Sequence, residues 1–535
     1  MKKWNCVKIF SVVLCTAMIA ISTSCSKAPT DSSSTLSGSN GSSALTGSDT
    51  VSGTLDDNSD LDSAESGGAT SSGSTNTNTN TSSKNSTNTS KPTGTGALDT
   101  TQPDKGTKLP TADLKGYEFT IAFAISYGGT EYTFADSASG DAERELINKI
   151  EKLYNCKIKF KLYDATASYR TIYPKVMAGD TVADILIIPN FMVGTYMAGG
   201  ILADLNTIPN LNLNGNYWYS AARDAFTVNG KTYAIAGDYN LYAHKLEGIY
   251  YNKNLIKELK LTDPYDLVKQ GKWNFDTFLE MAKKATKDLN GDGKMNLSDQ
   301  YGVAAYPHEV FFASNGCRKI TTDKNGKAVF GMNNNTAIST LQWLHDMYYK
   351  ENVCMKLASN LWQTHDSSEW IKYFQQFADG KALFLPTCVN DAQYIRDMED
   401  DYGWVPAPMG PNTNTYASFV EVNAGTMAVL NTNGKKELER IGPVLEAIGQ
   451  LGYTMAEAYE NTEVKQILFR GDSKSMEMLK ICKENAVIDL GEANVVNGMI
   501  EWYREFMNTE NASIASLINS KADAYQSEID KIYNK

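Results

Sequence analysis

Between Tyr117 and Pro189 the chain switches between two periodicities, and no other feature limits its fold as much. Tyr117-Glu118-Phe119-Thr120-Ile121-Ala122-Phe123-Ala124 alternates and is rich in β-formers, a helical run spans about Ala142 to Tyr154, and Lys157-Ile158-Lys159-Phe160-Lys161-Leu162 alternates strictly, as a half-buried strand does. A second helical stretch, Tyr169 to Ala178, ends at Gly179-Asp180. Ala183-Asp184-Ile185-Leu186-Ile187-Ile188-Pro189 then follows as a continuous apolar run, the pattern of a strand buried on both faces. Strand, helix, strand, helix, strand reads as βαβ units on a mainly parallel sheet. The expected class is therefore α/β, with ligands beyond the carboxyl ends of the strands.

Residues 113–535 exceed the about 250–300 residues at which a single hydrophobic core stops growing, so two lobes are expected. Phe226 to Tyr233 reads as a hairpin turning at Asn229-Gly230. Its Gly230-Lys231-Thr232 is no phosphate loop, because Ala225 stands where the loop needs glycine. Gly248 to Asn252 and Ala382 to Pro386 read as strands, and helices are expected at Leu255 to Lys260, Phe275 to Asp288, Thr336 to Tyr349 and Trp370 to Asp379. The chain is mostly helical from about Lys435.

The N-terminus has the layout of an export signal: Lys2, Lys3 and Lys8, an apolar run from Ile9 to Ile21, then Ser22-Thr23-Ser24-Cys25. That run is shorter than the roughly 20 residues that span a bilayer as a helix. From Ser26 to about Ala112 the chain is mostly Ser, Thr, Asn, Gly and Asp, and from Ser26 the first aromatic side chain is Tyr117. Such a segment cannot offset its ordering entropy and should be a flexible tether with an r.m.s. span of ~50 Å. Net charge is −12 and no basic cluster stands out in the body, so no nucleic-acid partner is expected. Cys156, Cys317, Cys354, Cys388 and Cys482 remain beyond Cys25, widely scattered. They read as buried small hydrophobes and not as a disulfide framework.

Several segments in succession resemble one known family. They are Gly179-Asp180 before Asp184-Ile185-Leu186, Asn229-Gly230-Lys231-Thr232-Tyr233-Ala234-Ile235, Tyr250-Tyr251-Asn252-Lys253 and Trp273-Asn274-Phe275-Asp276, then Phe377-Ala378-Asp379-Gly380-Lys381-Ala382 and Val405-Pro406-Ala407-Pro408. The chain resembles the family 1 extracellular solute-binding proteins of bacterial ABC importers, carbohydrate-type. The resemblance implies a two-lobed, type II periplasmic-binding-protein-like fold with a ligand cleft between the lobes. It implies a first lobe of about 113–243 plus a later segment and a second of about 244–395 plus C-terminal helices. It further implies a monomer that captures a sugar or oligosaccharide and delivers it to ABC permease subunits, the ATPase being another chain, and no enzymatic activity. The N-terminus is similar to a lipoprotein signal, which implies signal peptide 1–24, a diacylglycerol and palmitate anchor on Cys25, a tether over 25–112, and a place on the extracellular face of the membrane. Ser22 departs from the branched apolar residue usual there, and plain secretion is the alternative. The rival functions are a surface glycan hydrolase and the ligand-binding subunit of a membrane sensor.

Sugar recognition needs aromatic faces for C–H surfaces and amides or carboxylates for hydroxyls. Strand ends and loops offer Tyr127, Asn190, Phe191, Asp238, Tyr239, Tyr242, Asn315, Trp362, Trp404, Glu421 and Asn423. The competing reading of each is ordinary packing, and Trp343, in a helical pattern with Leu344 and Met347, reads as core. Asp288-Leu289-Asn290-Gly291-Asp292-Gly293-Lys294-Met295-Asn296-Leu297-Ser298-Asp299 has calcium-loop spacing. Asp288, Asn290, Asp292, the Lys294 carbonyl, Asn296 and Asp299 are its expected ligands for a structural Ca2+, with Asp299 replacing the usual glutamate. The alternative is a solvated Asn/Asp/Gly turn. His308-Glu309 lacks the second histidine of a zinc-protease helix, and the body has no Gly-x-Ser-x-Gly elbow.

Overall fold

The computed structural model describes Leu98 and residues 107–534, apart from 127–130, 165–167, 306–309, 358–366, 494–495, 497–498, 500–508 and 512. The expected βαβαβ unit is present as β1 (Tyr117–Ser126), α1 (Ala138–Tyr154), β2 (Cys156–Asp164), α2 (Ser168–Met177) and β3 (Ile185–Pro189). β1 lies between β2 and β3, parallel to both, with Ile121 opposite Phe160 and Ile185. Burial explains the two strand patterns. β2 is an edge strand with Lys157, Lys159 and Lys161 exposed, charges that discourage edge-to-edge pairing, whereas β3 has neighbours on both sides and every residue buried. α1 starts before the expected Ala142 because Ser137 caps it, accepting the Gly140 N–H at 3.3 Å.

The second sheet contains β4 (Glu247–Asn252), β5 (Tyr301–Val303), β6 (Ala382–Cys388) and β7 (Tyr402–Val405), in the order β7-β4-β6-β5. β4 runs antiparallel to β6 and β7, and β6 runs parallel to β5. Pro386 does not end β6. It faces Ile249 of β4, while pairing with the short β5 is limited to Ala382 and Phe384, so the missing N–H costs no ladder bond. Phe384 stacks on Phe278 with centroids 4.7 Å apart, and Trp404 of β7 stacks on Phe469 at 5.8 Å. All five body cysteines are buried and free.

Among the described residues the chain passes between the sheets three times. The first passage, between the Ile235–Met427 bridge and β4, runs through the 3-10 turn Tyr242–Lys245. The second returns through β8 (Ser418–Phe419), where Leu246 bridges Val420, to β9 (Gly425–Ala428), antiparallel to β3. The third follows the helix Lys435–Leu451 and descends through a ten-residue π-helix, Tyr459–Leu468. Among the described residues no helix is long and apolar enough to cross a membrane.

Candidate functional site

The carboxyl ends of β3 and β6 both lead to the place where the chain crosses. Asn190 directly follows β3, and its N–H donates to the Ala424 carbonyl at 2.9 Å while Phe191 N–H donates to Val422 at 3.1 Å, tying it to the second passage. Val389, directly after β6, donates its N–H to Leu246 of the first passage at 3.1 Å. That first passage begins at Leu241, whose φ of 52° is left-handed and costs a non-glycine residue about 1–2 kcal/mol. Asn240 holds the strain in place, accepting the Gly237 N–H at 3.0 Å and donating to the Gly425 carbonyl at 2.9 Å.

Polar side chains from these segments pair with one another around the crossing, most of them buried and Glu421 and Asn423 partly so. The Tyr242 hydroxyl donates to Asn190 Oδ1 at 2.7 Å. Lys245 Nζ lies 3.3 Å from Glu421 Oε2, Glu421 N–H donates to the Lys245 carbonyl at 2.8 Å, and Asn423 Nδ2 donates to Glu421 Oε1. The Thr387 hydroxyl donates to Asp391. Burial raises the Asp391 carboxyl above its ordinary range, opposed by Lys245 and Thr387 and reinforced by Glu421. The His244 ring stands 5.4 Å from that of Tyr459 in the π-helix. Burial, then the Lys245 charge, holds this imidazole well below its usual range, so at neutral pH it carries one N–H donor and one acceptor.

Part of this cluster lacks complementary groups. Asn190 Nδ2 and Asn390 Oδ1 have no hydrogen-bond partner among the described residues, Glu421 Oε2 has none beyond its ion contact, and the His244 ring has none within hydrogen-bond geometry, the Leu241 backbone being the one polar group beside it that favours its charged form. Asn190, His244 and Asn390 are at most 5% exposed. Each such group costs about 1–3 kcal/mol, a cost that a bound molecule supplying the missing partners removes. The set mixes donors and acceptors, and hydroxyl groups, which do both, complement it.

Of the residues read from sequence, Asn190, Tyr242, Glu421 and Asn423 come together here, with Phe191 beside them and half-buried. Asp238 and Tyr239 stand behind the cluster. Asp238 accepts from the Tyr219 hydroxyl at 3.0 Å, and Tyr239 donates to Glu143 at 2.9 Å. Trp404 does not join them: it is fully buried in the core of the second sheet, between Tyr250 and Phe469. Asn315 is also elsewhere, donating to Thr340 at 2.6 Å and accepting from Asn412 N–H at 2.8 Å. Tyr127, Trp362 and Cys25 lie outside the described residues.

His244, Lys245, Asn390 and Asp391 went unread in the sequence. The rule that selected Asn190, a polar residue just past a buried strand, also selects Asn390 and Asp391 once β6 is carried through Pro386 to Cys388.

The Asp288–Asp299 loop is closed by paired bonds between Lys287 and Gln300 at 2.8 and 3.0 Å, with Gly291 and Gly293 at φ of 72° and 75°. Asp288 accepts from Gly291 and Gly293 N–H at 2.7 and 2.8 Å, and Asp299 from Leu289 and Asn296 at 3.0 and 2.9 Å. Among the described residues no group of three or more His, Cys, Asp or Glu side chains stands together as metal ligands. Each carboxylate oxygen in the loop keeps a further lone pair.

Several solved structures share this architecture. An ABC substrate-binding protein from Listeria monocytogenes, solved with cycloalternan, is 16% identical over 78% of this chain and 98% of its own, with a TM-score of 0.52. The GacH receptor of Streptomyces glaucescens, solved unliganded and with acarbose, is 14% identical over 78% and 98%, TM-score 0.52. UgpB from Mycobacterium tuberculosis, in complex with glycerophosphocholine, is 13% identical over 78% and 98%, TM-score 0.51. The likeness is one of fold, the two-lobed α/β fold of type II periplasmic binding proteins. No curated protein matches the chain in sequence. The description "bacterial extracellular solute-binding protein" matches residues 134–447, more than half of the sequence, and the chain belongs to that family.

Proposed function

We propose that this chain captures a sugar or oligosaccharide at the crossing cluster and delivers it to the permease subunits of an ABC importer. The observation that carries the reading is the mixed set of unpartnered donors and acceptors on Asn190, His244, Asn390 and Glu421. Asn190 extends from the first sheet, Asn390 from the second, and His244 and Glu421 from the passages between them. A ligand whose hydroxyls reach all four bonds both lobes at once, which it does only when they are closed. At about 0.5–1.5 kcal/mol each, several such bonds approach the ~5.5 kcal/mol that carries a two-state equilibrium from nearly all open to nearly all closed. Burial with the neighbouring acids disfavours an anionic ligand such as a phosphate ester.

Thermal shift and calorimetry of the full chain against maltotetraose, cellotetraose and glycerophosphocholine test the reading. A neutral oligosaccharide should raise Tm and be recovered intact. Cleaved product, or a response to the phosphodiester alone, overturns it.

The export layout and the apolar-poor segment support a lipid on Cys25 and a tether that lets a monomeric body search near the membrane. Mass spectrometry of the mature N-terminus should find a diacylated cysteine, and an unmodified terminus removes the anchor. For the Asp288–Asp299 loop, the spacing of its oxygen carriers and its two left-handed glycines support structural calcium. Titration with calcium chloride should give heat that Asp288→Ala abolishes.

A further inference from the structure

Away from the crossing, a recess opens on the lobe of the second sheet, and Asn315 belongs to it. It encloses about 380 Å³, within the roughly 300–1,000 Å³ of small-molecule sites. Every described residue lining it comes from that lobe: the start of the helix Phe275–Ala285, Ser339, Thr340 and Trp343 within the helix Asn335–Tyr349, Asn315, and the loop after β7. Its aromatic wall is Trp343, half-buried and packed against the core, stacked on Phe275 with centroids 4.1 Å apart and planes at 17°.

The walls are held by the protein's own bonds. Buried Asn315 ties Thr340 to Asn412, Gly410 N–H donates to Ser314 at 3.0 Å, and Phe275 N–H donates to Met409 at 3.0 Å. Gly410 approaches Asn315 so closely that a Cβ on it would stand 2.3 Å from that side chain. The recess therefore keeps its shape without a ligand. Asn274, Ser339 and Thr413 bring amide and hydroxyl groups to it, and among the described residues Asp276 is its one carboxylate and no cationic side chain lines it. Aromatic carbon with neutral polar groups suits a ring that has C–H surfaces and hydroxyls, and the lack of a cation disfavours anions.

We propose that this recess is a second carbohydrate site, holding one glycosyl unit on the second-sheet lobe alone. It shares its ligand class with the crossing cluster but not its mechanism. Because one lobe supplies every contact, it binds with the lobes open or closed. A glycan held here raises the effective concentration of its free end for capture elsewhere on the molecule.

Hydrogen exchange of the full chain with maltotetraose or cellotetraose at millimolar concentration tests this. Protection is expected at residues 339–343 and 409–413 in addition to 189–191, 242–246 and 388–391. Ser339→Trp, at an exposed position, fills the recess and should remove the first protection while leaving the second; Thr413→Trp serves if that variant misfolds. Trp343→Ala should weaken binding at the recess about tenfold without changing capture of short sugars at the crossing. Protection confined to the crossing overturns the second site and leaves the carbohydrate reading intact. Recess protection that survives both blocking variants also overturns it. No protection anywhere overturns both.

Discussion

Two buried environments share the strand Glu247–Asn252. Toward its middle, Tyr250 packs with Tyr402, Trp404 and Phe469, centroids 5.7–6.5 Å from its own, and its hydroxyl donates to Val389 at 2.6 Å. At the end where the chain enters it, Leu246 and Lys245 lead into the crossing cluster, where buried polar atoms are left over. Both places exclude water, so burial alone does not separate a core from a site. The difference is one of degree: in the aromatic core only the Trp404 indole N–H is left over among the groups named, and ring surface is complemented by more ring surface, whereas at the crossing amide, imidazole and carboxylate atoms from four residues are left over together.

Trp404→Ala is the largest expected effect. It should cost about 3–5 kcal/mol and lower Tm, while the folded fraction binds oligosaccharide as before. A loss of affinity at constant stability would instead move Trp404 from core to site. His244→Leu should do the reverse, since removing unpartnered nitrogens relieves about 1–3 kcal/mol: the ligand-free chain melts higher and oligosaccharide affinity falls at least tenfold. A lower Tm with unchanged affinity would make His244 structural.

The smallest effects are pH slopes of at most about 1.4 kcal/mol per pH unit for each group, and two residues give opposite signs. Glu143 is buried and accepts from Tyr132 at 2.6 Å and Tyr239 at 2.9 Å. Burial raises its carboxyl from 4.5 to about 7, the two phenols and Arg144 opposing. The folded chain then holds a proton that the unfolded chain has released across that window, so stability falls as pH rises from 4.5 to about 7. Glu143→Gln should flatten this limb in denaturant titrations. His244 behaves oppositely: the unfolded chain takes up its proton near 6.5 and the folded chain does not, so stability is lost as pH falls below 6.5, and His244→Leu should remove that loss. Parallel slopes in the variants and the parent would mean that neither group's environment is as described.

The first sheet was legible because its signals are local. Alternation in Lys157–Leu162 and the unbroken run Ile185–Pro189 each record which faces of one strand are covered, and a short window contains that information. The strand expected over Ala382 to Pro386 runs on to Cys388, and the pairing with β4 and the brevity of β5 show why Pro386 loses nothing within it. Trp404 was misplaced for a related reason. A tryptophan near a strand end suits either a cleft or a core, and Phe469, far along the chain, decides between them.

By itself the sequence determined the α/β alternation, the hairpin at Asn229-Gly230 and the polar character of the residues that follow buried strands. All of these depend on neighbours within a turn or two. Tertiary structure alone decided which of those polar residues share a site and which lack partners. Asn190, His244, Asn390 and Glu421 are far apart in the chain and meet only because it passes between the lobes again and again. Whether a buried donor is satisfied depends on every atom around it, and no local pattern records that.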